Sequence, residues 1–178
     1  MSEREMTDTE TLVQLNIEHL RQGQRMVANL DEHAYLRCDP GVYKSGIGEH
    51  VRHILEHYQM FLQGCAGTVI DYDARERDMR ISADRKFAIA VIDSIVSNLH
   101  KLSASDRDVH VKMSTSHDLD RNTPYSKSTF KRELQYLQAH TIHHFALIAF
   151  ILRLQGLAPA DDFGVAPSTL QYIQATQA

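Results

Sequence analysis

Cysteine is scarce in this chain. Cys38 and Cys65 are the only two in 178 residues, and they form no CxxC pair. Two isolated thiols suit a reducing cytosol, and a disulfide between them is not expected. An excess of positive charge is also missing. Lys and Arg total 19 against 23 Asp and Glu, a net charge of −4, which argues against a nucleic-acid-binding face. Long hydrophobic runs are absent too. The longest, Phe145 to Leu152, is closed by His144 and Arg153 and is too short to span a bilayer. The opening Met1-Ser2-Glu3-Arg4-Glu5 has neither the basic nor the apolar region of a secretory signal. These absences lead to the expectation of a cytoplasmic protein with no membrane and no nucleic acid among its partners.

What is present is a globular balance, 43% hydrophobic and 24% charged residues, with enough length for a real core. No repeat or linker divides the chain, so residues 1–178 are read as a single domain. Four long helices are expected. The first runs from about Thr9 to Leu36 on a stripe of Leu12, Leu15, Leu20, Val27 and Leu30. The second runs from near Ser45 to Gly64, where Ile47, Val51, Ile54, Leu55, Tyr58, Phe61 and Leu62 give the clearest amphipathic pattern. Ser82 caps a third that continues to about Leu102. The fourth runs from near Ser128 to Gly156. Val109 to Met113 alternates and is read as one short strand. Ser168 caps a short last helix, which Phe163, Leu170 and Tyr172 dock on the bundle. The connections Cys65–Ser82 and Ser103–Lys127 are long, as in bundles with crossover connections or site-building loops.

Histidine is the compositional anomaly. His50, His53 and His57, then His140, His143 and His144, account for six of the 11. His140 and His144 leave one helix face about 6 Å apart along the axis, a spacing at which two imidazoles hold one metal ion. The second helix offers a third ligand from His50, His53 or His57. Three protein ligands leave one coordination position open, as in catalytic zinc sites. The helical wheel puts His50 and His57 nearer the apolar stripe and leaves that choice open.

The stretch Ile47-Gly48-Glu49-His50-Val51-Arg52-His53-Ile54-Leu55 resembles the second-helix motif of the DinB/YfiT-like superfamily. His140-Thr141-Ile142-His143-His144 resembles its fourth-helix motif of histidine, three residues, histidine, and Gly156 closes that helix in the usual way. Order, spacing and length agree over nearly the whole chain. The resemblance implies an all-α four-helix bundle with long connections and one divalent metal ion, zinc or nickel foremost. By position its ligands are His53, His140 and His144. It also implies homodimers, and relatives that use low-molecular-weight thiols as transferases or isomerases. Two features depart from the pattern. Phe145-Ala146-Leu147 stands where many members carry Arg-Gly-Gln, and there is no tryptophan before the second helix.

Two functions follow. In one, the metal binds and deprotonates a thiol or water and presents it to a small-molecule substrate, making the protein a thiol-dependent S-transferase or a hydrolase. In the other, the site is non-catalytic and serves stability or stress response. Glu133, two turns before His140, is a candidate base or ligand-orienting group, read alternatively as a solvated helix-start glutamate. His57 is a candidate proton shuttle, rival ligand or packing residue. Arg75 and Arg77 are read as a solvated charged loop or a carboxylate clamp, and Cys65 as an ordinary thiol.

Overall fold

A computed structural model describes residues 6–102, 105–118 and 122–177. The stretch Met1 to Glu5, on which the leader reading rests, and Ser103 lie outside the described residues. Helix α1 (Asp8–Asn29) starts at a reciprocal cap. The Glu10 N–H donates to the Thr7 hydroxyl at 3.2 Å, and the Thr7 N–H donates to the Glu10 carboxylate at 2.8 Å. The expected helix from Thr9 to Leu36 is interrupted. The chain is extended at Leu30 and Asp31, and α2 (Glu32–Leu36) starts anew with the Asp31 carboxylate accepting from the Ala34 N–H at 2.7 Å. An Asp side chain that bonds nearby backbone competes with helix continuation, and here it wins.

Helix α3 (Ile47–Gly64) buries Ile47, Val51, Ile54, Leu55, Tyr58 and Phe61. Strand β1 (Val69–Asp71) and the short α4 (Met79–Ala83) follow. Gly48 makes room for α4, since a Cβ there would collide with the Ser82 carbonyl oxygen. Helix α5 (Arg85–Leu99) is capped by Asp84, which accepts from the Lys86 and Phe87 N–H groups at 2.8 and 3.1 Å, and not by Ser82. Strand β2 (Asp108–Lys112) comes next, β3 (Ser126–Thr129) runs directly into α6 (Phe130–Leu154), and α7 (Pro167–Gln177) closes the described chain.

The all-α expectation is therefore corrected to a mostly helical fold with a small three-stranded sheet. Strand β2 pairs parallel with β1 and antiparallel with β3. The alternation at Val109–Met113 marks only the middle strand. Ser126-Lys127-Ser128-Thr129 has no apolar residue to alternate, so its pairing is set by backbone hydrogen bonds alone. Helix α6 starts at Phe130 with Thr129 as its cap, close to the expected start near Ser128.

Helices α1 and α3 each pack against both α5 and α6. The fold is thus built on four long helices, but two short helices and the sheet in its connections keep it from being a clean four-helix bundle. No helix among the described residues is long and apolar enough to cross a membrane. In the tail Leu170 is half-buried and Phe163 is buried, its ring stacked on Phe145 at 4.5 Å. Gly164 beside it has φ +76° and lies against the Phe145–Ala146 backbone, where a Cβ would not fit. Tyr172 stays 70% exposed. Helix α7 opens with Pro167 in its first turn, without the expected Ser168 cap.

A buried polar chain fixes the register of α1, α3 and α6. The Tyr58 hydroxyl donates to Asn16 Oδ1 at 2.7 Å, and the Asn16 amide donates to the Leu12 and Leu134 carbonyls at 2.8 and 3.1 Å. The Thr141 hydroxyl donates to the Tyr58 oxygen at 3.2 Å. All three side chains are 0% exposed. Asn16→Leu strands the Tyr58 hydroxyl without its acceptor in a dry core. A loss of about 2–4 kcal/mol in urea unfolding is expected. A change below about 0.5 kcal/mol, the range of a surface substitution, would show that the chain does not hold these helices.

Candidate metal centre

Helices α3 and α6 run side by side, and their facing turns carry the histidines. His50, His53 and His57 come from α3, His140 and His144 from α6. His50 Nδ1 lies 3.0 Å from His144 Nδ1, His53 Nε2 lies 3.1 Å from His140 Nε2, and His144 Nε2 lies 3.2 Å from the same His140 nitrogen. The His57 ring centroid is 4.2 Å from that of His140 and 4.4 Å from that of His53. One ring nitrogen each from His53, His57 and His140 also falls within 4.8 Å of the others. The ring pairing singles out His53, His140 and His144, while the looser grouping brings in His57 instead of His144. The pairing is the closer arrangement, because both contacts converge on one atom, His140 Nε2.

The rings are neutral at ordinary pH. Burial first, then the neighbouring rings, hold His53 down at about 3, His140 at about 2 and His144 at about 3. Burial also brings His57 to about 4 and lowers His50, outweighing the Glu49 carboxylate beside it. A neutral imidazole has one N–H and one lone pair. Two of these are assigned by their partners. His57 Nδ1 lies 2.8 Å from the His53 carbonyl oxygen, which only accepts, so that nitrogen carries the proton and Nε2 the lone pair. Arg75 Nη1 lies 2.6 Å from His53 Nδ1, and a guanidinium only donates, so His53 carries its proton on Nε2.

His140 is left under-satisfied. Its Nε2 meets two ring nitrogens at contact distance, and its Nδ1 is buried without a hydrogen-bond partner. A proton on Nδ1 leaves a buried donor unpaired. A proton on Nε2 points at the proton of His53. The donor set as it stands fits a cation better than it fits itself. Two nitrogens bound to one tetrahedral ion at about 2.0–2.1 Å lie about 3.3–3.4 Å apart, close to the observed 3.1 and 3.2 Å.

Tyrosines back the rings on one side. Tyr72 stacks on His57 at 5.4 Å and Tyr136 on His140 at 5.5 Å. Glu133 is not a solvated helix-start residue. It is 6% exposed and accepts from the Tyr72 hydroxyl at 2.9 Å and the Ser128 hydroxyl at 2.5 Å. It holds Tyr72 in place, and none of its hydrogen bonds is to a histidine. His143 is exposed, as its offset on the helix predicts, although its ring edge approaches His144. Cys38 and Cys65 are free thiols, and burial pushes the Cys65 thiol up to about 12, so it is unreactive.

His50, one of the three α3 histidines offered as a ligand, contacts His144 and not His140. Arg75, read as a solvated loop residue or a carboxylate clamp, donates to His53 instead, a contact only the fold brings about. Tyr136 was missed, although it lies four residues before His140, a spacing that could have flagged it.

No family model matches the chain, and no solved structure matches it. Over 108 residues it is 37% identical to FK506-binding protein 5 of Rhizopus delemar, a match covering 60% of this chain and 28% of that protein. The chain thus spans less than a third of the length of the curated relative. That finding corrects the functional expectation. The relative is named for binding FK506, so a DinB-like thiol-dependent transferase or hydrolase, or a DinB-like stress-response protein, is not supported.

The histidine cluster sets a pH dependence. The rings titrate near 6.5 when unfolded but only at about 2–4 when folded. Below about 6.5 the unfolded chain therefore takes up more protons, and stability held above that pH drains away as it falls. In the presence of a chelator, the urea midpoint should be clearly lower at about pH 5 than at about pH 7.5. Equal midpoints would mean the rings titrate like surface histidines.

Proposed function

We propose that the histidine cluster between α3 and α6 binds one divalent metal ion through His53, His140 and His144. The supporting observation is the convergence of two ring nitrogens on His140 Nε2, with His140 Nδ1 buried and unpartnered. Imidazole donors suit zinc, nickel, copper and iron alike, with zinc or nickel the first choices for a neutral three-nitrogen set. A bound ion would supply a Lewis-acidic centre and contribute to folding stability. The chain's own part would be to hold three neutral, half-buried rings, with His53 Nε2 and His144 Nε2 at 3.1 and 3.2 Å from His140 Nε2.

Metal content of tag-free protein, and zinc affinity by chelator competition, test this. His140→Ala and His144→Ala should each weaken binding by at least about a hundredfold, ~2.7 kcal/mol. His143→Ala should leave it unchanged, since that ring points to solvent. Loss in His57→Ala with retention in His144→Ala would move the third ligand to His57. Unchanged metal content in every variant would show that the rings are packing residues.

A second reading, FK506 binding, rests on the similarity to the Rhizopus protein. Away from the histidines, a cavity of about 590 Å³ is lined by Met26, Leu30, Leu152, Leu157, Pro159 and Phe163 among others, and drug-sized ligands occupy clefts of this size. FK506 should then bind saturably and raise the melting temperature, with the effect lost in Leu157→Glu, whose site is 40% exposed. Absence of saturable binding would sink this reading and leave the metal reading untouched.

A further inference from the structure

We propose that the cavity between the small sheet and the first turns of α6 is a binding site for a small aromatic carboxylate. It rests on neither the metal reading nor the FK506 reading.

The cavity holds about 340 Å³, at the small end of the range for ligand pockets. Tyr72 and Tyr136 give it an aromatic wall, Val111 and Met113 an aliphatic one, and Lys127 and Arg132 two cations. Among the described residues no histidine lines it. Strand β2 brings Val111, β3 brings Lys127, and the first two turns of α6 bring Arg132 and Tyr136. The tyrosine rings lie 5.3 Å apart, tilted by 54° to each other. Imidazoles stack on both, and Glu133 holds the Tyr72 hydroxyl. The aromatic wall is therefore set before any ligand arrives, which lowers the cost of binding.

Charge decides the sign of the ligand. The Glu133 carboxylate in the lining is already met by the Tyr72 and Ser128 hydroxyls. Lys127 and Arg132 have no side-chain hydrogen bond or salt bridge among the described residues. Their neighbours differ: Lys112 on the adjacent strand pairs with Asp71 at 3.2 Å, and Lys131 pairs with Asp8 at 2.9 Å. In a chain of net charge −4, two unpaired cations beside one cavity select an anion. A guanidinium takes a carboxylate through two parallel hydrogen bonds. The first N–H groups of α6 add nothing, since the Arg107 carbonyl, Asp106 and Thr129 already accept from them.

The cations do not hold an anion by themselves. Both are exposed, and an exposed ion pair contributes little in water. The larger part has to come from ring stacking on the tyrosines and from the apolar surface of Val111 and Met113. The Tyr136 hydroxyl donates only to the Met113 sulfur, at 3.2 Å, a weak acceptor that a carboxylate oxygen outdoes. The ring thus goes to the tyrosines and the carboxylate to Arg132. A bare anion lacks the first contact, and a neutral aromatic lacks the second.

Calorimetric titration of the full chain tests the site, with metal stripped so that an ion is not the receptor. Naphthoate should bind saturably with a Kd of about 0.1–1 mM. Naphthamide and inorganic phosphate should each bind at least about tenfold more weakly. Arg132→Gln should weaken naphthoate binding at least about fivefold. Met113→Glu, which puts a negative charge at a 41% exposed position of the lining, should abolish it. Leu157→Glu, in the other cavity beside Phe163, should leave it unchanged. Thermal unfolding confirms that each variant is folded, and in the wild type NMR cross-relaxation from bound naphthoate should reach the Tyr136 ring. No saturation by naphthoate at millimolar concentration overturns the proposal. Phosphate binding as tightly shows only a patch of charge, and naphthamide binding as tightly shows only apolar surface; either overturns it. Equal affinity in wild type and Arg132→Gln does so too, as does bound naphthoate without cross-relaxation to Tyr136. Loss in Leu157→Glu with retention in Met113→Glu overturns it by placing the ligand in the other cavity.

Discussion

Five imidazole rings held against one another between α3 and α6 are compatible with folding only while they stay uncharged. Much else in the structure follows from that constraint. Burial keeps His53, His57, His140 and His144 from taking up protons until the pH is far below their ordinary titration range. Neutral rings have lone pairs to place, and the cluster has more ring nitrogens in contact than it has good N–H donors to match them. The same arrangement that burdens the metal-free chain is what a cation would relieve.

Holding the rings at this spacing requires the two helices to keep their register. The buried chain through Asn16, Tyr58 and Thr141 does this from the core side. Tyr58 lies one residue after His57, and Thr141 one residue after His140. A slip of either helix would break those bonds and part the rings at once. Tyr72 and Tyr136 act from the outer side, stacking on His57 and His140, with Tyr72 anchored through its hydroxyl to Glu133.

The small sheet matters for the site more than its size suggests. Strand β1 turns the chain after α3 back alongside it. The Tyr72 N–H then donates to the Lys112 carbonyl at 2.9 Å, and Asp73 accepts from Ser114. These bonds start the loop that carries Arg75 to His53.

The sequence by itself determined the helices and the histidines. The apolar period of α3 is unbroken from Ile47 to Phe61 and every residue of that stripe is buried, although Glu56 and His57 beside it are buried too. His140 and His144 were legible as well, since one turn of helix fixes their relation. Helix ends were less legible. Asp31 and Asp84 stop or start helices where the apolar stripe runs on, since a side-chain cap is a local competition that periodicity does not report. Only the tertiary structure decided the rest. Strand β3 has no apolar alternation, and its existence depends on a partner distant in the chain. Whether His50, His53 or His57 faces His140 depends on how α3 rotates against α6, which a wheel drawn on one helix does not contain. Arg75 meets His53 through a loop that follows α3, which no local pattern reports. Glu133 looks like a solvated helix-start residue until β1 and β3 bring Tyr72 and Ser128 over it. Local patterns encode what one segment does alone; the proton on His53 is set by a residue that only folding brings within reach.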